Sequence, residues 1–104
     1  MVGCFVYFNG FLQHVYPQLN DICTDNANIM SYDQLLALRE KLTNFKTETL
    51  HQIVVLTIAD LGDDTIENYA FQVFEQNQLG QEGADNGLLI QFSENDREVR
   101  IEVG

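Results

Sequence analysis

The sequence has little positive charge. Its 104 residues contain five Lys and Arg against 16 Asp and Glu, which gives a formal net charge of −11. This excess of negative charge repels phosphate backbones and anionic membrane surfaces. We therefore expect no nucleic-acid partner and no direct binding to anionic lipid. Cations and soluble cationic partners are compatible with such a surface.

Cysteine is scarce as well. Cys4 and Cys23 are the two cysteines, and neither belongs to a CxxC motif or to a Cys/His cluster with ligand spacing. A zinc site therefore has no support in the sequence. Cys23 stands between Ile22 and Thr24, where a free cysteine acts as a small buried hydrophobic residue. The sequence leaves open a disulfide between the two.

The N-terminal segment is apolar and aromatic but too short to span a bilayer. It has no Lys or Arg before its apolar part and no small-x-small cleavage site. We interpret residues 1–15 as an apolar leader, a remnant of a signal or lipoprotein segment. The remaining length suits one compact domain, which we place at residues 16–104.

Two helices are predicted from hydrophobic periodicity. Ser31 and Gln34 have the spacing of a capping box, which predicts a helix over residues 32–47. Thr65 is an N-cap candidate before a second helix, Ile66 to Gln76. Their apolar stripes are Leu35, Leu38, Leu42 and Phe45 in the first helix, and Ile66, Tyr69, Ala70, Val73 and Phe74 in the second.

Strand signals lie between and after these helices. Gln52 to Ile58 is a β-branched run typical of a central strand that is covered on both faces. Leu88 to Phe92 is a second apolar strand, and Arg97 to Val103 alternates, which predicts one face toward water. A short, weak strand signal runs from Leu19 to Ala27. The predicted fold class is α/β, bordering on α+β: a small mixed sheet of about four strands flanked by helices, in β-α-β-α-β-β order.

Several blocks of the chain resemble the TPM domain family. The segments 25–31, 52–57 and 65–70 follow its block order, and residues 79–90 and 97–104 are similar to its "IGxKGxDNGxLLL" and "RxVRIEVGYGLEG" patterns. The likeness includes Asp85, Asn86, Gly87 and Arg100 and extends from about Pro17 to Gly104. The chain departs from the family in having Glu82 where a basic residue is common and Asn77 where a Trp is common.

The resemblance implies a domain that is incomplete at its C-terminus, because family chains continue past the final Val-Gly. It also implies an extracytoplasmic location, in the periplasm, cell envelope or thylakoid lumen, with a membrane tether in the full-length protein and a membrane protein as partner. Calcium binding and acid phosphatase activity are each attributed to members of this family, one of which is linked to photosystem II repair.

Acidic residues follow several predicted strands. Because ligands bind at the carboxyl ends of strands in open α/β sheets, these residues are expected to converge at one edge. Carboxylate oxygens on loops suit calcium better than magnesium. The alternative is that they are ordinary turn and cap residues, which bond their own backbone. The predicted metal ligands are Asp25, Asp60, Asp63, Asp64 and Asp96, with Glu94 and Arg97 at the same edge.

A phosphatase needs electrophilic help for the phosphoryl group and a nucleophile or activated water. Asp25 and Arg97 are the catalytic candidates, with Arg100 as a second cation. For the arginines, the alternative is cross-strand pairing with Glu98 or Glu102. Asp85, Asn86 and Gly87 are expected at the opposite edge in a structural role, with Gly87 supplying permissive dihedral angles.

Three functions follow as hypotheses. The first is a membrane-associated module that binds calcium and a membrane protein partner. The second is a metal-assisted acid phosphatase that acts on phosphomonoesters. The third is an inactive structural fragment of a larger TPM protein, in which an edge strand invites association.

Overall fold

The computed structural model describes residues 15–80 and 86–103. They form, in order, β1 (Cys23–Asp25), α1 (Tyr32–Thr49), β2 (His51–Ile58), α2 (Ile66–Gln76), β3 (Asn86–Ser93) and β4 (Glu98–Val103). The sheet order is β1-β2-β3-β4, with β1, β2 and β3 mutually parallel and β4 antiparallel to β3. The predicted α/β class and element order are confirmed.

The two helices cover opposite faces of the sheet, because alternate residues of β2 point to opposite sides. Val54, Leu56 and Ile58 pack with the apolar stripe of α2. Val55 packs with Leu42 of α1 on the other side. The prediction of a central strand covered on both faces is therefore confirmed for β2. Neither helix of the described chain is long and apolar enough to cross a membrane.

The helix ends follow local hydrogen bonding. The capping box is present, with the Gln34 N–H donating to the Ser31 hydroxyl and the Ser31 N–H donating to the Gln34 side chain. Helix α1 runs two residues beyond its predicted end and stops at Leu50, whose backbone is left-handed (φ 64°). The Thr49 hydroxyl donates to the carbonyl of Phe45, so this added segment is held by a hydrogen bond within the helix.

Two predicted strands need correction. Strand β1 is only three residues long, not the stretch from Leu19 to Ala27. Strand β4 begins at Glu98, because Arg97 has a left-handed backbone (φ 56°) that belongs to the turn. Within β4, the apolar Val99, Ile101 and Val103 are more exposed than Arg100 and Glu102. Helix α2 contacts β4 on one face of the sheet, whereas α1 contacts β1 and β2 on the other face.

The segment before β1 packs on α2. The Asn77 side chain accepts from the N–H of Leu19 (2.8 Å) and donates to the carbonyl of Pro17 (3.1 Å). The ring of Tyr16 meets that of Tyr69 edge to face at 4.9 Å between centroids. Residues 16–19 therefore belong to the folded domain, and residues 1–14 of the leader lie outside the described residues.

Candidate functional site

Three chain segments meet at the carboxyl ends of the parallel strands, which we call the carboxyl edge. Asp25, at the end of β1, lies beside Thr57 of β2, and Ile58 lies beside Ser93 of β3. The N–H of Glu94 donates to the carbonyl of Ile58 at 3.0 Å. The β3–β4 turn is thereby tied to the end of β2, and the three segments form one continuous edge.

Asp25 organises the loop that leads into α1. Its Oδ1 accepts from the Thr57 hydroxyl (2.6 Å) and from the N–H of Ile29 (3.1 Å), and its Oδ2 accepts from the N–H of Met30 (2.9 Å). Thr57 is 1% exposed, and its hydroxyl also accepts from the N–H of Ala27. Asp25 therefore closes the loop by side-chain hydrogen bonds.

The electrostatics of Asp25 favour its charged form. Partial burial alone would raise the pKa of Asp25 by desolvation. The hydrogen bonds from the Thr57 hydroxyl and from the N–H groups of Met30, Ile29 and Asn28 outweigh that effect. The pKa of Asp25 therefore lies below its ordinary value, and the side chain is a carboxylate at neutral pH.

The loop after β2 contains Asp60, Asp63 and Asp64. Asp60 accepts from the N–H of Gly62 at 3.0 Å, and both Asp60 and Asp63 are exposed. Asp64 accepts from the Tyr16 hydroxyl at 2.8 Å. Burial and this hydrogen bond to Asp64 raise the pKa of Tyr16 to about 12, so the phenol keeps its proton.

Asp96 joins the β3–β4 turn to the loop after β2. Its Oδ2 accepts from the N–H of Leu61 at 2.8 Å and from the Ser93 hydroxyl at 2.7 Å. Ser93 is 2% exposed and Leu61 is buried, so both groups that hold this carboxylate belong to the protein interior. The exposed part of Asp96 faces a neighbouring cleft.

That cleft is a concave feature of the carboxyl edge. Its volume is about 360 Å³, and we call it the acidic cleft because four carboxylates line it: Asp64, Glu67, Asp96 and Glu98. The N-terminal turn of α2 supplies Glu67, and the start of β4 supplies Glu98. Leu61, Thr65, Ile66 and Val99 complete the lining. The cleft thus brings Asp64 and Asp96 to one place.

Sequence reasoning missed Glu67 and Glu98. In the sequence, Glu67 is typical of an acidic residue that interacts with the helix dipole in a first helical turn. Glu98 is typical of a solvent-facing strand residue. Their position follows from topology, because α2 begins and β4 begins at the same edge. The local sequence around each residue gives no signal. The directions in which α2 and β4 run from the carboxyl edge could have identified them.

The donor chemistry of the acidic cleft fits a hard cation, since carboxylate and hydroxyl oxygens are the ligands calcium takes. In residues 15–80 and 86–103, however, no three His, Cys, Asp or Glu side chains form a group that could hold a metal ion. Asp25 is separate from the cleft lining, as are Asp60 and Asp63. A bound cation would therefore draw ligands together instead of entering a finished cage.

The arginines are placed differently from one another. Arg97 is exposed in the turn at the carboxyl edge, and no hydrogen bond or ion pair joins it to Asp25 within the described chain. Strand β2 lies between the strand that carries Asp25 and the strand that leads to Arg97. Arg100 lies within β4, with its Nε 3.4 Å from Glu102 Oε1.

The glycine-rich motif lies at the other edge of the sheet. Asn86 pairs with His51 and Gly87 with Gln52, at the start of β2, while Asp85 lies outside the described residues. Gly87 is not among the positive-φ glycines, so the expected need for permissive dihedral angles is wrong. A Cβ at Gly87 would lie 2.6 Å from the backbone nitrogen of Gly80, so close backbone packing explains the glycine.

Cys23 is buried and free. Burial raises the pKa of its thiol, which keeps it protonated. The prediction that Cys23 is a small buried hydrophobic residue is confirmed.

Known proteins resemble this chain in sequence and in fold. The family model for the TPM domain matches residues 23–104. The N-terminal domain of a P. gingivalis protein, solved by NMR, is similar with a TM-score of 0.73 and 28% identity, over 80% of this chain and 53% of that chain. The N-terminal domain of a Corynebacterium glutamicum protein has a TM-score of 0.69 and 17% identity, over 89% of this chain and 60% of that chain.

The chain thus spans 53% and 60% of the lengths of these two structures. The likeness to the Corynebacterium glutamicum domain shows the fold alone, because its identity is 17%. No curated protein matches the chain.

Proposed function

The chain belongs to the TPM domain family, and on that premise we propose that it is a binding module whose acidic cleft holds a divalent cation, calcium in preference to magnesium. The single observation that carries this proposal is the meeting of Asp64, Glu67, Asp96 and Glu98 in one cleft at the carboxyl edge. Open α/β sheets bind their ligands at this edge.

Calcium is favoured by the way these carboxylates are held. Asp64 and Asp96 are fixed by hydrogen bonds from Tyr16, Ser93 and the Leu61 N–H, whereas Glu67 and Glu98 are exposed. Calcium accepts six to eight oxygens, including water, in irregular geometry, while magnesium requires a near-ideal octahedron. A cleft with two anchored and two adaptable carboxylates suits the larger ion.

The remaining acidic residues of the carboxyl edge act at longer range. Asp25 holds the loop before α1 and stays ionised, and Asp60 and Asp63 are exposed beside the loop that ends in Asp64. Clustered charge of one sign raises the local concentration of counter-ions. We assign these three residues to the attraction of the cation and not to its direct coordination.

Binding is favoured over phosphoester hydrolysis by the same charges. A phosphomonoester carries up to two negative charges near neutral pH, and an acidic cleft repels it unless a metal first reverses the local potential. Arg97, the catalytic candidate, is exposed on the turn and makes no hydrogen bond or ion pair with Asp25 in the described residues. The module therefore acts by holding a cation.

We further propose that the domain acts outside the cytoplasm beside a membrane protein partner. This part is supported by the family resemblance alone. Its test is the cellular position of the full-length protein, measured with a reporter that is active only outside the cytoplasm. An active reporter is expected, and a signal confined to the cytoplasm contradicts this part.

The cation proposal is tested by thermal unfolding with calcium, magnesium or a chelator. A ligand that binds only the folded state adds about 2.7 kcal/mol at a hundred times its dissociation constant. We expect the midpoint to rise with calcium more than with magnesium. The paired substitution Glu67→Gln and Glu98→Gln is expected to abolish the rise.

The matched control is Glu75→Gln, on the same helix but eight residues from Glu67, or about 12 Å along its axis. This exposed carboxylate lies outside the cleft lining, so its loss should leave the calcium response intact. An equal response to both ions, or a response lost in the control as well, would point to diffuse screening. Hydrolysis of p-nitrophenyl phosphate in the same samples would instead favour the phosphatase.

A further inference from the structure

Strand β4 is at the edge of the described sheet. It pairs with β3 along one side, from Val103 opposite Leu88 to Glu98 opposite Ser93, and no described strand pairs with its other side. Every second residue of an edge strand presents its N–H and C=O outward, where another strand can pair with them. This edge therefore offers a surface for strand addition.

The sequence of β4 is self-complementary about its centre. Reading outward from Ile101, the neighbours are Arg100 and Glu102, which have opposite charge, and then Val99 and Val103, which are identical. In an antiparallel pair of two such strands centred on Ile101, residues directly opposite share a face. Arg100 then faces Glu102 of the second copy, Val99 faces Val103 of the second copy, and Ile101 faces itself.

From this complementarity we propose that two copies of the chain pair antiparallel through β4, with the two-fold axis at Ile101. Each four-stranded sheet thereby continues into the other. A two-fold interface of this kind is closed, because the same patch serves both copies. The occupant of the β4 edge is thus a second copy of this chain.

The apolar side of β4 supports this pairing. Val99, Ile101 and Val103 are 57%, 55% and 64% exposed, an unusual state for three apolar residues on one strand face. Cross-strand pairs of β-branched residues stabilise antiparallel strands. Pairing through β4 would remove part of this apolar surface from water in both copies.

The charged side disfavours the neighbouring registers. A pair centred on Arg100 sets Arg100 against itself and Glu98 against Glu102, and a pair centred on Glu102 sets Glu102 against itself. Like charges directly opposite one another are destabilising. A shift by one residue places Ile101 opposite Arg100 or Glu102. Of these registers, only the one centred on Ile101 joins apolar to apolar and Arg to Glu.

The net charge of −11 opposes close approach of two copies. Exposed charges farther apart than the Debye length, about 8 Å at 0.15 M ionic strength, are largely screened. Added salt therefore weakens the repulsion between charges that are far apart on the two copies, while the directly opposed side chains remain in contact. Association is expected to strengthen from low salt to about 0.15 M.

Sedimentation equilibrium of the full chain tests the proposal. We expect a species of twice the 11.9 kDa chain mass that dissociates on dilution. Ile101→Lys sets two positive charges against each other at the axis and should weaken association by about tenfold or more. Because Ile101 is exposed, circular dichroism should show the variant folded. A wild-type chain that stays monomeric at high concentration overturns the proposal.

A charge-swap pair tests the register itself. Arg100→Glu places acidic residues at both positions 100 and 102, and Glu102→Arg places basic residues at both, so each variant alone should be monomeric. Mixed together, they restore two opposite-charge pairs across the axis and should form a heterodimer. If the mixture stays monomeric while the wild-type chain dimerises, the Ile101-centred pairing is wrong.

Discussion

The Thr57 hydroxyl donates a 2.6 Å hydrogen bond to Oδ1 of Asp25, and so links the ends of two neighbouring parallel strands by their side chains. The same hydroxyl oxygen accepts from the N–H of Ala27, in the loop that Asp25 closes. Thr57 is thus a buried polar residue whose two partners both belong to the β1–α1 connection. This link gives the carboxyl edge a fixed shape.

Thr57→Val is expected to destabilise the domain by about 1–3 kcal/mol, because it removes one of the hydrogen bonds to the Asp25 carboxylate and the side-chain acceptor of the Ala27 N–H. The measurement is the free energy of unfolding in urea. Thr57→Ser keeps the hydroxyl and serves as the control, with a smaller loss from the missing methyl group. Equal losses in the two variants would show that packing, not hydrogen bonding, is the role of Thr57.

The stability of the domain should depend on the ionisation of Asp25. Its folded-state pKa lies below its ordinary value, so the ionised carboxylate contributes stability that is fully present above the unfolded pKa, about 3.9. That contribution is lost as the pH falls through the lower, folded pKa. Asp25→Asn removes it at every pH.

The measurement is the unfolding free energy of the wild-type chain and of Asp25→Asn between about pH 2 and pH 7. The difference between them should be constant above about pH 5 and should shrink below about pH 4. A difference that grows as the solution is acidified would contradict the assigned direction of the Asp25 pKa.

Gly87→Ala is expected to destabilise the domain by about 1–3 kcal/mol through overpacking. The added Cβ would lie 2.9 Å from Cα of Gly80 and from the carbonyl carbon of Leu79, which are backbone atoms that cannot rotate away. Thermal unfolding measures the effect. An unchanged midpoint would show that the 79–80 segment can move aside at little cost.

Gln91 is a buried polar residue whose replacement should be stabilising. It is 0% exposed, and neither its Oε1 nor its Nε2 has a hydrogen-bond partner among the described residues. Gln91→Met keeps the length of the side chain and removes the buried amide, so we expect a gain of about 1–3 kcal/mol in unfolding free energy. Exposed Gln18→Met is the control, with no expected change. A loss of stability in Gln91→Met would reveal a partner for the amide.

The architecture was largely predictable because periodicity and turn chemistry agree along the chain. The run of β-branched residues in β2 and the apolar stripe of α2 each identify an element and show which of its side chains are buried. The Ser31 capping box marked the start of α1. These features depend on neighbours in sequence, which a reader of the sequence sees directly.

The features that the sequence did not predict depend on residues that are neighbours in space but not in sequence. Val99, Ile101 and Val103 have the alternation of a core-facing strand, yet their exposure depends on which helix lies over each half of the sheet. Glu67 and Glu98 meet in the acidic cleft because two elements begin at one edge. The role of Gly87 depends on the backbone of Gly80, seven positions away. None of these relations is visible in a local pattern.

The most direct test of cation binding is a calcium titration followed by backbone amide NMR. Saturable shifts are expected in residues 61–67 and 94–99, which frame the acidic cleft, with reversal by a chelator and weaker shifts with magnesium. Absence of shifts at millimolar calcium, or shifts of equal size spread over the whole acidic surface with both ions, would contradict a site in the cleft.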